Sequence, residues 1–445
     1  MKEYLILLAQ KHESFRKAEL EALAELEQVA VDLSQHDENV PLLYVTLDSE
    51  EDARKLIRRS ILARSIFEVW GRGNSLDSLH ADVKQRTSHL WPEYKQVSFK
   101  FDIISYQGSR TKEEQREIVE SFSYVDFEGP IRMKDPDEIF TIVEEYKTPL
   151  SPISGGRELR DICLGRYIAR SQRDIIDMYD LKKRKYIGTT SFDAELALIS
   201  SNIGLAAPGK IVYDPFAGTG SFLVAASHFG AMSLGSDIDG RQIRGTAKSN
   251  ITTNYYQYHI KSQLLDTFVC DFTHNPIRPS FRLDAIICDP PYGVREGLKV
   301  LGSKNPERYA DKLPTKLESG DLSHLRPDYI PPKKPYHFDA LLDDLLLFAA
   351  THLVDNGRLC CWMPTANEDY GDRQIPMHPD LELISNCVQE FNKWSRRLLT
   401  YTRRPRDSST TTQSPIAKST RTYTEQFRDK YFRGFAKTKD YESAV

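Results

Sequence analysis

Hydrophobic positions change their period along this chain, and the changes outline its organisation. Tyr4 to Ala9 is an apolar run that predicts a strand, and Ala18, Ala22, Leu23 and Leu26 then share one helical stripe, with Ser14 as the expected cap. Val29 to Leu33 and Leu42 to Leu47 predict strands, Ala53, Leu56, Ile57 and Ile61 a helix, and Ile66 to Trp70 a closing strand before Gly71-Arg72-Gly73. The order βαββαβ predicts a ferredoxin-like module over 1–73. A second α+β series fills 74–170. It comprises a helix from Leu76, an alternating strand Val97–Ile103, a polar helix from Thr111 to Ser121, and strands at Tyr124–Phe127, Ile139–Val143 and Ile162–Arg166.

From Tyr186 the pattern becomes a regular alternation of buried strands and helices, which predicts an α/β fold with a parallel, doubly wound sheet. Ser191 or Asp193 is placed to cap the first helix. The apolar runs end on acids: Ile211-Val212-Tyr213 on Asp214, Ala231–Ser236 on Asp237, Val269-Cys270 on Asp271, and Ala285–Cys288 on Asp289. In open α/β sheets the carboxyl ends of the strands carry the site. Ala340–Leu353 predicts a long helix and Arg358–Met363 a fifth strand. A hairpin of Leu383–Phe391 with Arg397–Thr402 would bring the sheet to seven strands.

Two of the strand ends carry chemistry. Asp214-Pro215-Phe216-Ala217-Gly218-Thr219-Gly220 is a glycine turn between a strand and a helix start, where the backbone can approach a ligand closely and free N–H groups face it. Leu223 stands where a dinucleotide fingerprint needs a third glycine, and no Gly-Lys-Ser/Thr follows, so nicotinamide and triphosphate ligands are disfavoured. Asp237 lies where such folds hold a ribose diol. Asp271 offers an acid for an adenine amine, beside Phe272 for its ring face. Asp289-Pro290-Pro291-Tyr292 is the reactive turn. The exocyclic amine of a base is flat and conjugated, hence a poor nucleophile. The Asp289 carboxylate and the Pro290 carbonyl, stiffened by Pro291, can accept both amine hydrogens and favour a pyramidal nitrogen, while Tyr292 stacks on the base. Alone, a glycine turn or a proline turn is usually structural; four acids in sequence at successive strand ends are what argue for a site.

Composition adds limits. A chain of 445 residues is too long for one ordinary core. With 40% apolar and 28% charged residues it reads as a globular protein, and a net charge of −4 confines any RNA-binding surface to local patches. Between Arg157 and Tyr186, nine basic residues face five acids; the reading is either phosphate contact or a solvated linker, with 171–185 as the linker proper. A basic tail over 406–445, hydroxyl-rich at Ser408–Ser414, is read either as a second RNA contact or as a solubilising end. Cys163, Cys270, Cys288, Cys360, Cys361 and Cys387 form no Cys-x-x-Cys, which predicts no metal site and a reducing, cytoplasmic setting. No signal peptide and no membrane span are expected. Gly293–Pro335 breaks the strand–helix rhythm as a polar, proline-dotted insertion that either shapes the base pocket or is disordered.

The two motifs together resemble the class I (Rossmann-like) S-adenosylmethionine-dependent methyltransferases that modify exocyclic amines. Lys185–Glu195, Gly235–Arg241 and Phe391–Arg397 narrow the match. Apart from its last few dozen residues, the whole chain is similar to the eukaryotic tRNA (guanine(10)-N2)-methyltransferase family, with no departure at the quoted positions. The resemblance implies an RNA-binding THUMP domain within 74–170 and a methyltransferase domain over 186–405. It implies S-adenosyl-L-methionine as cofactor, contacted by Thr190, Phe192, Asp214, Phe216, Gly218, Gly220, Asp237, Ile238, Asp271 and Phe272, with Asp289, Pro290, Pro291 and Tyr292 catalytic. It also implies tRNA as substrate and a small zinc-binding activator subunit as partner. The apolar strand Leu264–Cys270, expected at a sheet edge, offers that subunit a place to pair. Two alternatives stay open at this point: a methyltransferase acting on adenine N6 or a protein glutamine, and a non-catalytic tRNA-binding scaffold.

Overall fold

The structure is a computed structural model that describes residues 1–147, 158–294, 297–303, 307, 316–326, 329, 331–367, 375–406, 427 and 431. The chain divides into two compact units, Met1–Asp174 and Ile175–Val445.

The first unit is built on one six-stranded sheet. Its elements are β1 (Lys2–Leu8), α1 (Arg16–Glu27), β2 (Leu42–Leu47), α2 (Glu50–Ile57), β3 (Ala63–Gly73), α3 (Leu76–Thr87), α4 (Trp91–Tyr94), β4 (Phe99–Tyr106), α5 (Lys112–Glu120), β5 (Glu138–Tyr146) and β6 (Leu159–Arg170). The strand order is β2-β1-β3-β6-β5-β4. Because β3 pairs antiparallel with both β1 and β6, position 73 lies in the middle of the sheet rather than between two sheets.

Two expected strands do not form. Val29 and Leu33 are buried, but Gln28 turns left-handed at φ 56° and Val29 N–H returns to Ala24 O at 2.9 Å, so this backbone closes the end of α1 instead of pairing. Tyr124 and Val125 lie in a 3₁₀ turn, Ser123–Val125, that ends on Asp126, and the rings of Tyr124 and Phe127 join an aromatic core with Phe101 and Phe140. The cap expected at Ser14 is also absent. A 3₁₀ turn, Glu13–Phe15, leads straight into α1, whose preceding residue is Phe15. Thr111, by contrast, closes a capping box with Glu114 at the start of α5.

The basic residues before the second unit are largely satisfied within the protein. Arg166 is buried among Glu68, Glu50 and Glu138, Arg160 pairs with Glu145, and Arg173 donates to Ile61 O. The buried Arg166 thus serves the sheet, while Arg160 keeps an exposed side chain; Arg157 lies outside the described residues.

The second unit contains α6 (Ile175–Tyr179), α7 (Ala194–Ile203), β7 (Ile211–Asp214), α8 (Ser221–His228), β8 (Met232–Asp237), α9 (Gly240–Arg244), α10 (Ile251–Gln257), β9 (Leu264–Val269), β10 (Leu283–Cys288), β11 (Lys299–Leu301), β12 (Lys333–Pro335), α11 (Phe338–His352), β13 (Leu353–Ala366), β14 (Leu381–Glu390) and β15 (Trp394–Arg403). Seven strands form one sheet in the order β14-β15-β13-β10-β7-β8-β9. Pairing is parallel from β13 through β9, and β15 runs antiparallel between β13 and β14. The order reverses between β7 and β10, and the ends of these two strands therefore face a shared crevice. Asp193 caps α7 by accepting Leu196 N–H at 3.0 Å, and every residue of α7 is buried. The apolar face of α11 packs with Tyr213, Ile286 and Leu359 in one core. Among the described residues of the insertion, β11 and β12 pair antiparallel. Most of the basic C-terminal tail, read as either an RNA contact or a solubilising end, lies outside the described residues.

Candidate active site

The crevice is organised by Asp214, the last residue of β7. Its carboxylate is 1% exposed, and Oδ1 accepts Phe216 N–H at 2.9 Å, which pins the start of the glycine turn. Gly218 follows at φ 51°, in the left-handed region, and its N–H donates to Asp237 Oδ2 at 2.9 Å. Asp237 Oδ1 accepts Asp239 N–H at 2.7 Å. The turn and the end of β8 are thereby locked to each other. Gly220, at φ 84°, is the residue that opens α8. On the opposite side Ser191 ties the segment before α7 to the turn. Its hydroxyl takes Gly188 N–H at 2.8 Å and meets Thr219 Oγ1 at 2.7 Å.

The resulting cavity holds about 730 Å³, within the range of small-molecule sites of roughly 300–1,000 Å³. Thr190, Phe192, Asp214, Phe216, Gly218, Asp237 and Ile238 line it, together with all four of Asp289, Pro290, Pro291 and Tyr292. The expected contacts Gly220, Asp271 and Phe272 are not part of this wall. Gly220 serves the helix start, and Phe272 is buried against Phe216 and Phe348. The Asp271 oxygens are engaged elsewhere: Oδ1 accepts from Thr273 N–H and hydroxyl, both at 3.0 Å, while Oδ2 accepts Leu301 N–H at 2.8 Å and meets His274 Nδ1 at 3.0 Å.

The electrostatics suit a cationic guest. Burial drives the Asp214 carboxyl well above the usual range against the pull of Phe216 N–H, and the charges of Asp237 and Asp289 push the same way. A positive group in the cavity would relieve all three acids. A sulfonium cofactor bearing a ribose would fit the donor set: acids for its charge and diol, a glycine turn that lets the backbone approach closely, and the apolar Phe216 and Ile238 on the wall.

Asp289 follows directly on β10. Burial raises its carboxyl to about 6, with the positive charge of Arg396 and a hydrogen bond from Tyr292 pulling the other way. Tyr292 donates its hydroxyl to Asp289 Oδ1 and sets its ring at right angles to Phe338, 5.8 Å away. The tyrosine is thus a partner of the acid as well as a wall of the cavity.

Comparison with known proteins decides what this crevice belongs to. Residues 2–173 match the model described as "Tmrp11 THUMP N-terminal domain", and residues 182–304 that of "RMKL-like, methyltransferase domain". The tRNA (guanine(10)-N(2))-methyltransferase of Saccharomyces cerevisiae is 48% identical over 439 residues, covering 98% of this chain and 100% of its own length. The Schizosaccharomyces pombe enzyme of the same name is 38% identical over 481 residues, 99% of each chain. The Homo sapiens protein named tRNA (guanine(10)-N(2))-methyltransferase TRMT11 is 36% identical, covering 90% of this chain and 88% of its own. The chain belongs to the tRNA (guanine(10)-N2)-methyltransferase family.

In this methyltransferase, wall residues come from places that the strand-end motifs do not mark. Gln242, Lys299 and Lys333 line the cavity, and Lys333 Nζ donates to Ile238 O at 2.8 Å. Phe391, Trp394 and Arg396 come from the hairpin of β14 and β15, in the stretch whose motif was recognised without a role being assigned to any residue. Phe427 and Tyr431 complete the wall from the tail and pack on Trp394, with ring centroids 5.9 and 6.1 Å away. Their helical spacing of i, i+4 in a polar segment is the one signal that could have marked them.

Proposed function

We propose that this chain transfers a methyl group from S-adenosylmethionine to the exocyclic N2 amine of guanine at position 10 of tRNA. One observation carries the reading: the Asp289–Tyr292 turn opens into the same cavity as Gly218 and Asp237. When bound, the cofactor supplies an electrophilic methyl carbon on a positively charged sulfur. Thr190, Phe192, Asp214, Phe216, Gly218, Asp237 and Ile238 are the residues assigned to hold it, Asp237 through the ribose diol. Gly220, Asp271 and Phe272 support the corner from behind, through the helix start, the insertion and the core.

The base has to leave its stack to enter the cavity, since its amine is out of reach inside a folded tRNA. Asp289 Oδ2 and the Pro290 carbonyl then take the two amine hydrogens, which withdraws the lone pair from the ring and aims it. Tyr292, fixed by its hydroxyl, presents an aromatic face to the base. Asp289 works as a carboxylate here, because only the ionised form accepts from the amine while its other oxygen accepts from Tyr292. No strong base is required, as the nitrogen sheds its proton readily once alkylated.

Asp289→Ala tests the assignment. Methyl transfer to tRNA is expected to fall below detection while cofactor binding by calorimetry stays near wild type; retained turnover would refute the role. Nucleoside mass spectrometry of tRNA from cells lacking the protein is expected to show guanine at position 10 unmethylated.

The reading extends to partners and setting. The exposed strand β9 forms the sheet edge beyond β8, with Leu265 and Val269 44% and 49% exposed. An apolar edge of this kind favours a strand from another chain, which supports a small zinc-binding activator subunit paired there. All six cysteines are buried and none forms a disulfide, in keeping with a reducing, cytoplasmic setting. Among the described residues no helix is long and apolar enough to cross a membrane.

A further inference from the structure

Arg396 occupies an unusual position for a charge. It faces Gln389 across the β14–β15 ladder, and its Nε and Nη2 both donate to Gln389 Oε1, at 3.0 and 2.7 Å. Its guanidinium carbon lies 4.8 Å from the ring centre of Phe192, 5.4 Å from Trp362 and 5.7 Å from Phe391. A planar cation fixed along one edge by a neutral amide and surrounded by three rings has little freedom to swing. It lines the same cavity as Asp289. Yet among the described residues the two form no ion pair within 4.0 Å, and Asp289 Oδ2 carries no hydrogen bond.

We propose that Arg396 is a positioning residue for Asp289: its fixed charge keeps the acid ionised across the cavity without touching it, so that Oδ2 stays available to the guanine amine. The physics favours this separation. Coulomb attraction falls only as the inverse of distance, whereas a hydrogen bond needs about 3 Å and correct alignment. A guanidinium in direct contact would also hold the acid ionised, but it would occupy the lone pairs that the amine needs. Held back by Gln389 and the rings, Arg396 supplies the field and leaves the acceptor open. The groups facing the acid support the assignment. Tyr292 lies on its own turn, Cys288 ends β10, Cys361 lies on β13, Asp214 ends β7, and Arg396 is the one cation among these. Of the other cations on this wall, Lys333 is turned to Ile238 O, Arg241 is paired with Asp239, and Lys299 lies on β11.

The inference rests on Asp289 as the acceptor of the amine, and the test separates the two. Single-turnover methyl transfer to tRNA is measured against pH for wild type, Arg396→Gln and Arg396→Lys. In the glutamine variant the acid limb is expected to move up by about two pH units, within the range of roughly one to three for loss of a nearby opposite charge. The rate then drops about tenfold at pH 7 and returns to within about twofold of wild type at pH 9. Arg396→Lys is expected to restore most of the limb, and cofactor affinity by calorimetry to change little. A rate lowered equally at every pH, or an unmoved limb, overturns the inference, while an active Asp289→Ala overturns the reading beneath it. If the glutamine variant does not fold, infrared difference spectra of Arg396→Lys and wild type against Asp289→Asn read the carboxyl directly. A protonated-acid band at pH 7 in wild type would overturn the proposal.

Discussion

Asp289 is where the chemistry of this methyltransferase meets its burial. Its carboxyl is raised to about 6, chiefly by burial, so it is protonated in the folded protein at pH values where a solvated aspartate is still ionised. Protonation removes an acceptor, and the single-turnover rate is therefore expected to fall as pH drops through about 6 and to level off above it. A flat profile between pH 5 and 8 would contradict this. Gly218 offers a second test. Its φ of 51° is left-handed, and an added Cβ would have nothing nearer than Phe216 O at 4.0 Å. Gly218→Ala is thus expected to cost backbone strain of about 1–2 kcal/mol rather than a clash, seen as a lower Tm and weaker cofactor binding. The acids at the strand ends were legible because each closes an apolar run. Arg396 was not, although its stretch was recognised, because its meaning comes from Gln389 across a ladder and from rings on three separate segments.

Strands and helices were read most reliably where burial and backbone pairing coincide. Five strands of the second sheet and the long helix α11 were visible as apolar runs of suitable length, and β14 and β15 as an expected hairpin. Val29–Leu33 and Tyr124–Phe127 misled because the same apolar spacing marks a turn that fills a core, and periodicity reports burial, not hydrogen bonding. At this scale β9 gives the clearest prediction. Replacing Leu265 and Val269 together by lysine is expected to abolish co-purification with the proposed activator subunit while the isolated chain still binds cofactor. Undiminished association would rule out this edge as the docking strand. Both side chains are already exposed, so their replacement should change stability by no more than about 0.5 kcal/mol.

At the scale of the molecule the chain divides into two compact units, and the proposed function assigns them separable tasks. A chain beginning at Ile175 keeps every described wall residue of the cavity and is expected to bind S-adenosylmethionine with near-native affinity while losing methyl transfer to tRNA. Calorimetry and a tRNA methylation assay read the two properties separately. The net charge of −4 confines any RNA-binding surface to local patches. The basic run before the second unit proved harder to read, since a count of charges does not reveal that Arg166 is neutralised by three glutamates. Only the fold shows which charges remain to meet a polyanion.

The carboxylate of Asp271 has a wider implication. All four of its acceptor positions are taken, one of them by the backbone of Leu301 in the insertion. Any ligand amine that recruited this acid would first have to displace one of those donors, so Asp271 serves as the mooring of β11 and of the turn after β9 rather than as an open acceptor. Were a ligand to take the oxygen that holds Leu301, its binding and the mooring of that hairpin would compete, each weakening the other by thermodynamic reciprocity.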